Sequence, residues 1–292
     1  DSIEVFTKIL LIKPDFAEAY YHLVPSLRGI YFKKHNSDLL NIVTSLFDKK
    51  TLVRPRDIID AGLSLLKLDT KLKKYLEPDY LDGEELKPLE VIADLSKLPL
   101  LLKLMSVCPI SDIDLERLLK KLRAKLIMSI DDYINSSDLL AFQSALALQC
   151  FTNEYLYDKS VAEDKALLLL EESVKLDISN NSQPSPQKIL SLASYKPLKE
   201  YVWSSSLLIT DEIKEVYIRQ IIDPEREIKI RQSLPLLNNI THEVSSKVRN
   251  QYEASPYPRW VNLGLPLRPR SILNLVNEIK LHDNKIIYQQ HL

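Results

Sequence analysis

The sequence contains very little glycine. Glycine accounts for 4 of its 292 residues, whereas the average usage of about 7% would give roughly twenty. Tight turns, β-hairpins and β-bulges need backbone with positive φ, which glycine adopts at no steric cost. Loops that cradle phosphate groups also need glycine, because their backbone must approach the ligand closely. The scarcity of glycine therefore argues against a β-rich fold and against a nucleotide-binding loop.

Cysteine and long apolar runs are scarce as well. The two cysteines, Cys108 and Cys150, lie far apart and stand among apolar residues, which predicts buried thiols and no disulfide framework. This usage fits a reducing compartment. No apolar run approaches the ~18 residues that a membrane-spanning helix needs, and no signal peptide opens the chain. We therefore expect a cytoplasmic protein without a membrane partner.

Charge and motifs exclude further classes of function. The 39 basic and 40 acidic residues nearly cancel, so nothing in the net charge indicates a nucleic-acid partner. The sequence has no dinucleotide-binding fingerprint, no phosphate-binding P-loop and no HExxH motif. Its five histidines are scattered and none has a partner at ligand spacing, so no metal site is expected. We expect no catalytic residue in this chain.

Helical spacing is present along most of the chain instead. One clear helix places leucines at i, i+3, i+4, i+7 and i+11, at Leu115, Leu118, Leu119, Leu122 and Leu126. Ser160 and Glu163 have the spacing of a capping box at a helix start. A segment from Ser137 has few charges, which predicts a central, buried helix. The sequence therefore predicts an all-α fold.

The first 23 residues carry a repeat-like pattern. One helical face ends at Pro14, and "FAEAYYHL" (16–23) then opens a second helix. Small Ser2 and aromatic Phe6 stand where tetratricopeptide (TPR) repeats pack helix against helix, and the segment resembles two such half-units before Pro25 interrupts the match. We expect residues 1–35 to be a TPR remnant truncated at its N-terminus. Residues 36–240 would continue it as an irregular stacked-helix domain.

The segment "VRNQYEASPYPRW" (248–260) has an unusual composition. It brings three aromatics, two prolines and two arginines together within thirteen residues. Proline fixes φ at two positions, so the segment is stiff. A stiff aromatic segment can cover an apolar ligand at low entropic cost, and Arg259 could grip a carboxylate or stack on a ring. An equally good interpretation is a rigid hinge that packs its aromatics on a neighbouring domain.

The same segment resembles a family signature. "QYEASPYPRW" is similar to the "QYExxPYPRW" signature of bacterial proteins that join TPR repeats to a class I S-adenosylmethionine-dependent methyltransferase domain. Four further segments, from "CPISDIDLERLLKKLR" (108–123) to "DPEREIKIRQSLPLLNNITHEVSSKVRNQYE" (223–253), resemble in the same order that family's region between repeats and catalytic domain. In the family a cofactor-binding domain follows, with a glycine-rich turn that this sequence lacks. The resemblance implies a fragment in which 241–292 is a helix, the PYPRW segment and a linker towards the missing domain.

The resemblance also implies a function. The repeats would recruit a protein or peptide substrate, and the PYPRW segment would lie over the cofactor pocket of the chain's own C-terminal catalytic domain. The residues implied in binding S-adenosylmethionine are Tyr252, Glu253, Tyr257, Arg259 and Trp260. The alternative is a helical-repeat adaptor that binds a protein or peptide partner without chemistry.

Overall fold

The computed structural model describes residues 2–49, 53–83, 86–132, 136–235, 243–254, 259, 261 and 271–274. Within these ranges every regular element is helical, so the all-α prediction is confirmed. The α-helices of these ranges are α1 (Ser2–Ile12), α2 (Ala17–Leu27), α3 (Ser37–Leu46), α4 (Pro55–Leu66), α5 (Thr70–Tyr75), α6 (Pro78–Asp82), α7 (Pro88–Leu95), α8 (Pro99–Val107), α9 (Ile113–Met128), α10 (Ser137–Thr152), α11 (Val161–Ser179), α12 (Pro186–Ala193), α13 (Asp211–Tyr217), α14 (Asp223–Ser233) and α15 (Glu243–Ala254).

Local signals explain where many helices begin. Prolines that the sequence marks as breaks occupy the first position of α4, α6, α7 and α8, where the missing N–H costs nothing. The capping box of α11 forms as predicted: the Glu163 N–H donates to Ser160 Oγ at 3.2 Å, and the Ser160 N–H donates to Glu163 Oε2 at 2.9 Å. None of the described helices has the length and hydropathy to cross a bilayer.

Helices α1 and α2 form an antiparallel pair. Ser2 Oγ donates to Ser26 Oγ at 3.3 Å, and the Phe6 ring stacks on His22 with centroids 5.6 Å apart. Helix α2 continues through Pro25 to Leu27, so the proline that interrupts the match to the repeat pattern does not end the helix. The TPR nature of the pair and the division at residue 35 stay predictions.

Two hydrophobic cores meet at α10. The first core runs from α1 to α10, and the second joins α10 to α11, α12 and α13. Phe142 and Leu146 belong to the first core, whereas Ala147 and Leu148 belong to the second. Helix α10 is therefore buried on opposite sides, which confirms the prediction made from its low charge.

A buried ion pair lies beside these cores. Arg123 of α9 donates from Nη2 to Glu163 Oε1 at 3.2 Å, and both side chains are almost fully enclosed, at 2% and 3% exposure. The Tyr195 hydroxyl donates to the same carboxylate at 2.8 Å, and the Arg123 guanidinium lies 4.3 Å from the Tyr195 ring centroid. Since a buried charge is tolerated when it is paired and hydrogen-bonded, this cluster ties α9, α11 and the turn after α12 together.

Candidate functional site

A groove opens between elements from both halves of the chain. Its volume is about 1500 Å³, and its walls come from α8, α10, α13 and α14. Tyr252, Arg259 and Val261 line it as well.

Small side chains make the floor of the groove. Helix α10 presents the small side chains of Ser137, Ala141, Ser144 and Ala145 to the groove, together with the larger Leu140, Leu148 and Phe151. Their spacings of three and four residues place them on one helical face. Short side chains leave the volume open, because larger ones at these positions would fill it. The polar and apolar mixture suits an extended or helical polypeptide segment.

A wider helical turn shapes one wall. Residues Ile218–Ile222 form a π-helical segment that joins α13 to α14 without a break. Asp223–Pro224 stands at the start of α14, with Pro224 in the first turn of that helix, but Asp223 is itself helical, with φ −62° and ψ −47°, and is not an extended N-cap residue. A proline inside a helix crowds the preceding turn and cannot donate a hydrogen bond, and a wider turn relieves that crowding.

The π-helical segment places a mostly buried arginine in the wall. Arg219 Nη1 donates to the Ser106 carbonyl at 2.8 Å, and Nη2 lies 3.5 Å from Thr152 Oγ1. Burial lowers the pKa of Arg219, against the raising effect of the Glu215 and Asp223 carboxylates. Because Arg219 donates hydrogen bonds to residues of α8 and α10, it fixes the π-helical segment to these two helices.

Arg259, which lines the groove, contacts two residues at the end of α10. Its guanidinium forms an ion pair with Glu154 and lies 4.2 Å from the centroid of the Phe151 ring. The two charged side chains are 13% and 16% exposed. Within this arrangement Arg259 already has a carboxylate and an aromatic face, so its guanidinium is not free to meet a cofactor carboxylate.

The backbone that presents Glu154 is strained. Glu154 and Tyr155 both adopt positive φ, at 57° and 56°, a region that costs non-glycine residues about 1 kcal/mol or more each. The Tyr155 N–H donates to the Cys150 carbonyl at 2.8 Å, and its hydroxyl donates to the Ala193 carbonyl at 3.2 Å. These contacts hold the turn after α10 in the shape that points Glu154 at Arg259.

The other predicted site residues divide into two groups. The Tyr252 ring lines the groove and is 63% exposed, so it is available to cover a ligand. The Glu253 side chain, Tyr257 and Trp260 lie outside the described residues. The predicted role of all five residues in cofactor binding stays a prediction.

Sequence reasoning missed the partners of Arg259 and the charge of the wall. Nothing in the local sequence marks Glu154 or Phe151 as the contacts of a residue more than a hundred positions later. The wall formed by α13 and α14 carries five carboxylates, which are Asp211, Glu212, Glu215, Asp223 and Glu227. On the opposite wall Lys103 is paired with Asp48. The groove is therefore acidic along one side. The net charge of the whole chain, which is close to zero, does not reveal this local pattern.

The cysteines are buried, as predicted. Cys108 and Cys150 are buried, and burial raises the pKa of each thiol to about 12. Among the described residues no group of three histidine, cysteine, aspartate or glutamate side chains could hold a metal ion.

Comparison with protein-family models, with curated proteins and with solved structures finds no match for this chain.

Proposed function

We propose that this chain is the non-catalytic, substrate-recruiting and lid region of a TPR-linked, S-adenosylmethionine-dependent methyltransferase that acts in the cytoplasm. The observation that carries the proposal is the position of Arg259. The one arginine of the PYPRW motif contacts Glu154 and Phe151 and lines a large groove. A lid role for the segment would use this contact to cover whatever occupies the groove.

The groove is the proposed docking site for the polypeptide substrate. Its floor of small side chains admits a peptide backbone, and its acidic wall complements a segment rich in lysine or arginine. A cationic peptide gains long-range attraction from such a wall and short-range contacts from the floor. A substrate of this kind also agrees with the partner that the family resemblance implies.

The cofactor would be bound by the methyltransferase domain that the resemblance places after the PYPRW segment. The sequence has no glycine-rich turn for it, and Arg259 is engaged by Glu154. In this proposal Tyr252 supplies an exposed ring, and α15 exposes an apolar stripe made by Val244, Val248 and Tyr252. Such a stripe is available to pack against a following domain.

Peptide binding tests the recruiting role. We expect a fluorescent lysine-rich peptide to bind the purified chain, and a glutamate-rich peptide of equal length to fail. Glu215→Gln with Glu227→Gln should weaken binding roughly tenfold, and the affinity should fall with added salt. Glu18→Gln with Glu90→Gln, both on exposed helices outside the groove, is the matched control and should leave affinity unchanged. Equal binding of both peptides would contradict the assignment of the groove.

Methyl transfer separates this proposal from the adaptor alternative. The natural gene product is incubated with S-adenosylmethionine labelled in its methyl group and with the lysine-rich peptide. Labelled peptide supports the methyltransferase role. Peptide binding without transfer would refute it and leave a helical adaptor, which the groove alone also supports because nothing in it requires chemistry.

A further inference from the structure

Helix α11 is apolar on two opposite sides. Its inner side packs Leu170 and Val174 into the second core. Its outer side exposes Val161, Leu168, Leu169 and Leu176, which are between 61% and 73% exposed. A helix on the surface of a monomer normally has a polar outer side, and an apolar one indicates contact with another surface.

The charged residues on the outer side of α11 are also arranged symmetrically. At 100° per residue, the four apolar side chains share one sector of about 100° with exposed Lys165 and Glu172. These two charges lie at equal distances from the midpoint between Leu168 and Leu169. A second copy of the helix that runs in the opposite direction therefore sets Lys165 level with Glu172, and Val161 level with Leu176. In this sense the sector is complementary to itself.

From this symmetry we infer that the outer face of α11 is the interface of a homodimer, in which two copies of α11 pack antiparallel about a two-fold axis. Lys165 of each copy then faces Glu172 of the other. Leu168 and Leu169 lie on opposite sides of the sector, where each packs against its own counterpart close to the axis, and Val161 lies level with Leu176 at either end. A two-fold interface of this kind uses one self-complementary patch on both subunits.

The charges select the antiparallel arrangement. A parallel, in-register pair would set Lys165 against Lys165 and Glu172 against Glu172, and like charges that face each other oppose association. The border of the sector agrees with this choice. Asp164 and Lys175 lie along one edge of the sector. The two-fold axis brings Asp164 of one copy near Lys175 of the other, although Asp164 also pairs with Lys159 of its own copy at 2.8 Å. This inference does not depend on the groove or on the proposed function.

Sedimentation over a series of protein concentrations tests the dimer. One helix pair lies at the small end of specific interfaces, so we expect roughly micromolar dissociation of the dimer in the native chain. Lys165→Glu alone and Glu172→Lys alone each set like charges face to face, and each should raise the dissociation constant about tenfold or more. The double exchange, Lys165→Glu with Glu172→Lys, restores opposite charges and should return the constant to near its native value.

Matched controls and cross-linking fix the register. Lys229→Glu and Glu225→Lys make the same charge changes on exposed positions of α14 and should not alter dimerisation. Lys165→Cys with Glu172→Cys should form an oxidised covalent dimer, whereas Lys165→Cys alone should not, because Lys165 of the two copies lie far apart in the antiparallel pair. The native cysteines are buried and do not compete. A chain that remains monomeric at all concentrations, a dimer that ignores the charge reversals, or cross-linking by the single cysteine would each overturn the inference.

Discussion

The molecule uses the same combination of an arginine, a glutamate and an aromatic ring in two places, with different surroundings. Arg123 pairs with Glu163 and stacks on Tyr195 in the interior, at 2% exposure of the arginine. Arg259 pairs with Glu154 and stacks on Phe151 beside the groove, at 13% exposure of the arginine. The ring distances are nearly equal, at 4.3 and 4.2 Å, so the difference lies in what each cluster connects.

The interior cluster joins elements that are already packed. Glu163 caps α11 and holds Arg123 of α9, while Tyr195 reaches it from beyond α12. To free any member, the core itself must open. The cluster at the groove instead joins the segment after α15 to a turn on the body. Breaking it releases one segment and leaves both cores intact. The first cluster therefore reports on global stability, and the second reports on local attachment.

The largest expected effect is at Arg123. Arg123→Met leaves the Glu163 carboxylate buried without its cation, which costs about 3–5 kcal/mol in buried pairs. The midpoint of urea unfolding should fall accordingly. Adding Glu163→Gln removes the unpaired charge and keeps a residue that serves in a capping box, so the double variant should recover much of the loss. Lys8→Met breaks an exposed pair with Glu4 and should leave the urea midpoint nearly unchanged, because exposed ion pairs contribute little to stability. Equal losses in these variants would contradict the distinction.

Acid unfolding sharpens the role of Glu163. Burial would raise the pKa of its carboxyl, but hydrogen bonds from the Ser160 backbone and the Tyr195 hydroxyl, together with the Arg123 charge, outweigh burial and hold the pKa below its ordinary value of 4.5. A group with a depressed folded pKa contributes stability above its unfolded pKa and loses it as pH falls through the folded value.

The stability advantage of the native chain over Glu163→Gln should therefore be constant at neutral pH and shrink below about pH 4.5. Urea midpoints measured for both proteins from pH 7 to pH 3 check this. Parallel curves across that range would show that Glu163 does not contribute through its charge.

The sequence could predict the parts of these clusters that are local. The capping box joins Ser160 to Glu163 across three positions, so its spacing is visible without a structure. The stiffness and aromatic content of the PYPRW segment are equally visible in the sequence, and they predict that Arg259 contacts a carboxylate or a ring. The burial of α10 followed from its lack of charge.

The partners of the two arginines could not be predicted. Arg123 and Glu163 are 40 positions apart, and their contact depends on how α9 and α11 pack. Glu154 points at Arg259 because its backbone adopts a positive φ, which no residue preference of glutamate would suggest. Pro224 lies in the first turn of α14, as its local preference predicts, but the π-helical segment that joins α13 to α14 has no visible mark in the sequence.

The smallest and most local effect is expected at the groove. Arg259→Met removes an ion pair and a cation–π contact together worth roughly 1–2 kcal/mol. Because these contacts attach only the segment after α15, we expect the urea midpoint of the whole chain to change little. Hydrogen exchange of the α15 amides should instead become about tenfold faster, since each 1.4 kcal/mol of local stability is a factor of ten. Glu154→Gln should reproduce the acceleration, and Gln251→Ala, at an exposed position of α15 itself, serves as the comparison within the same helix. If Arg259→Met lowered the global midpoint as much as Arg123→Met, both clusters would contribute to the stability of the whole chain. The local role of the Arg259 cluster would then be wrong.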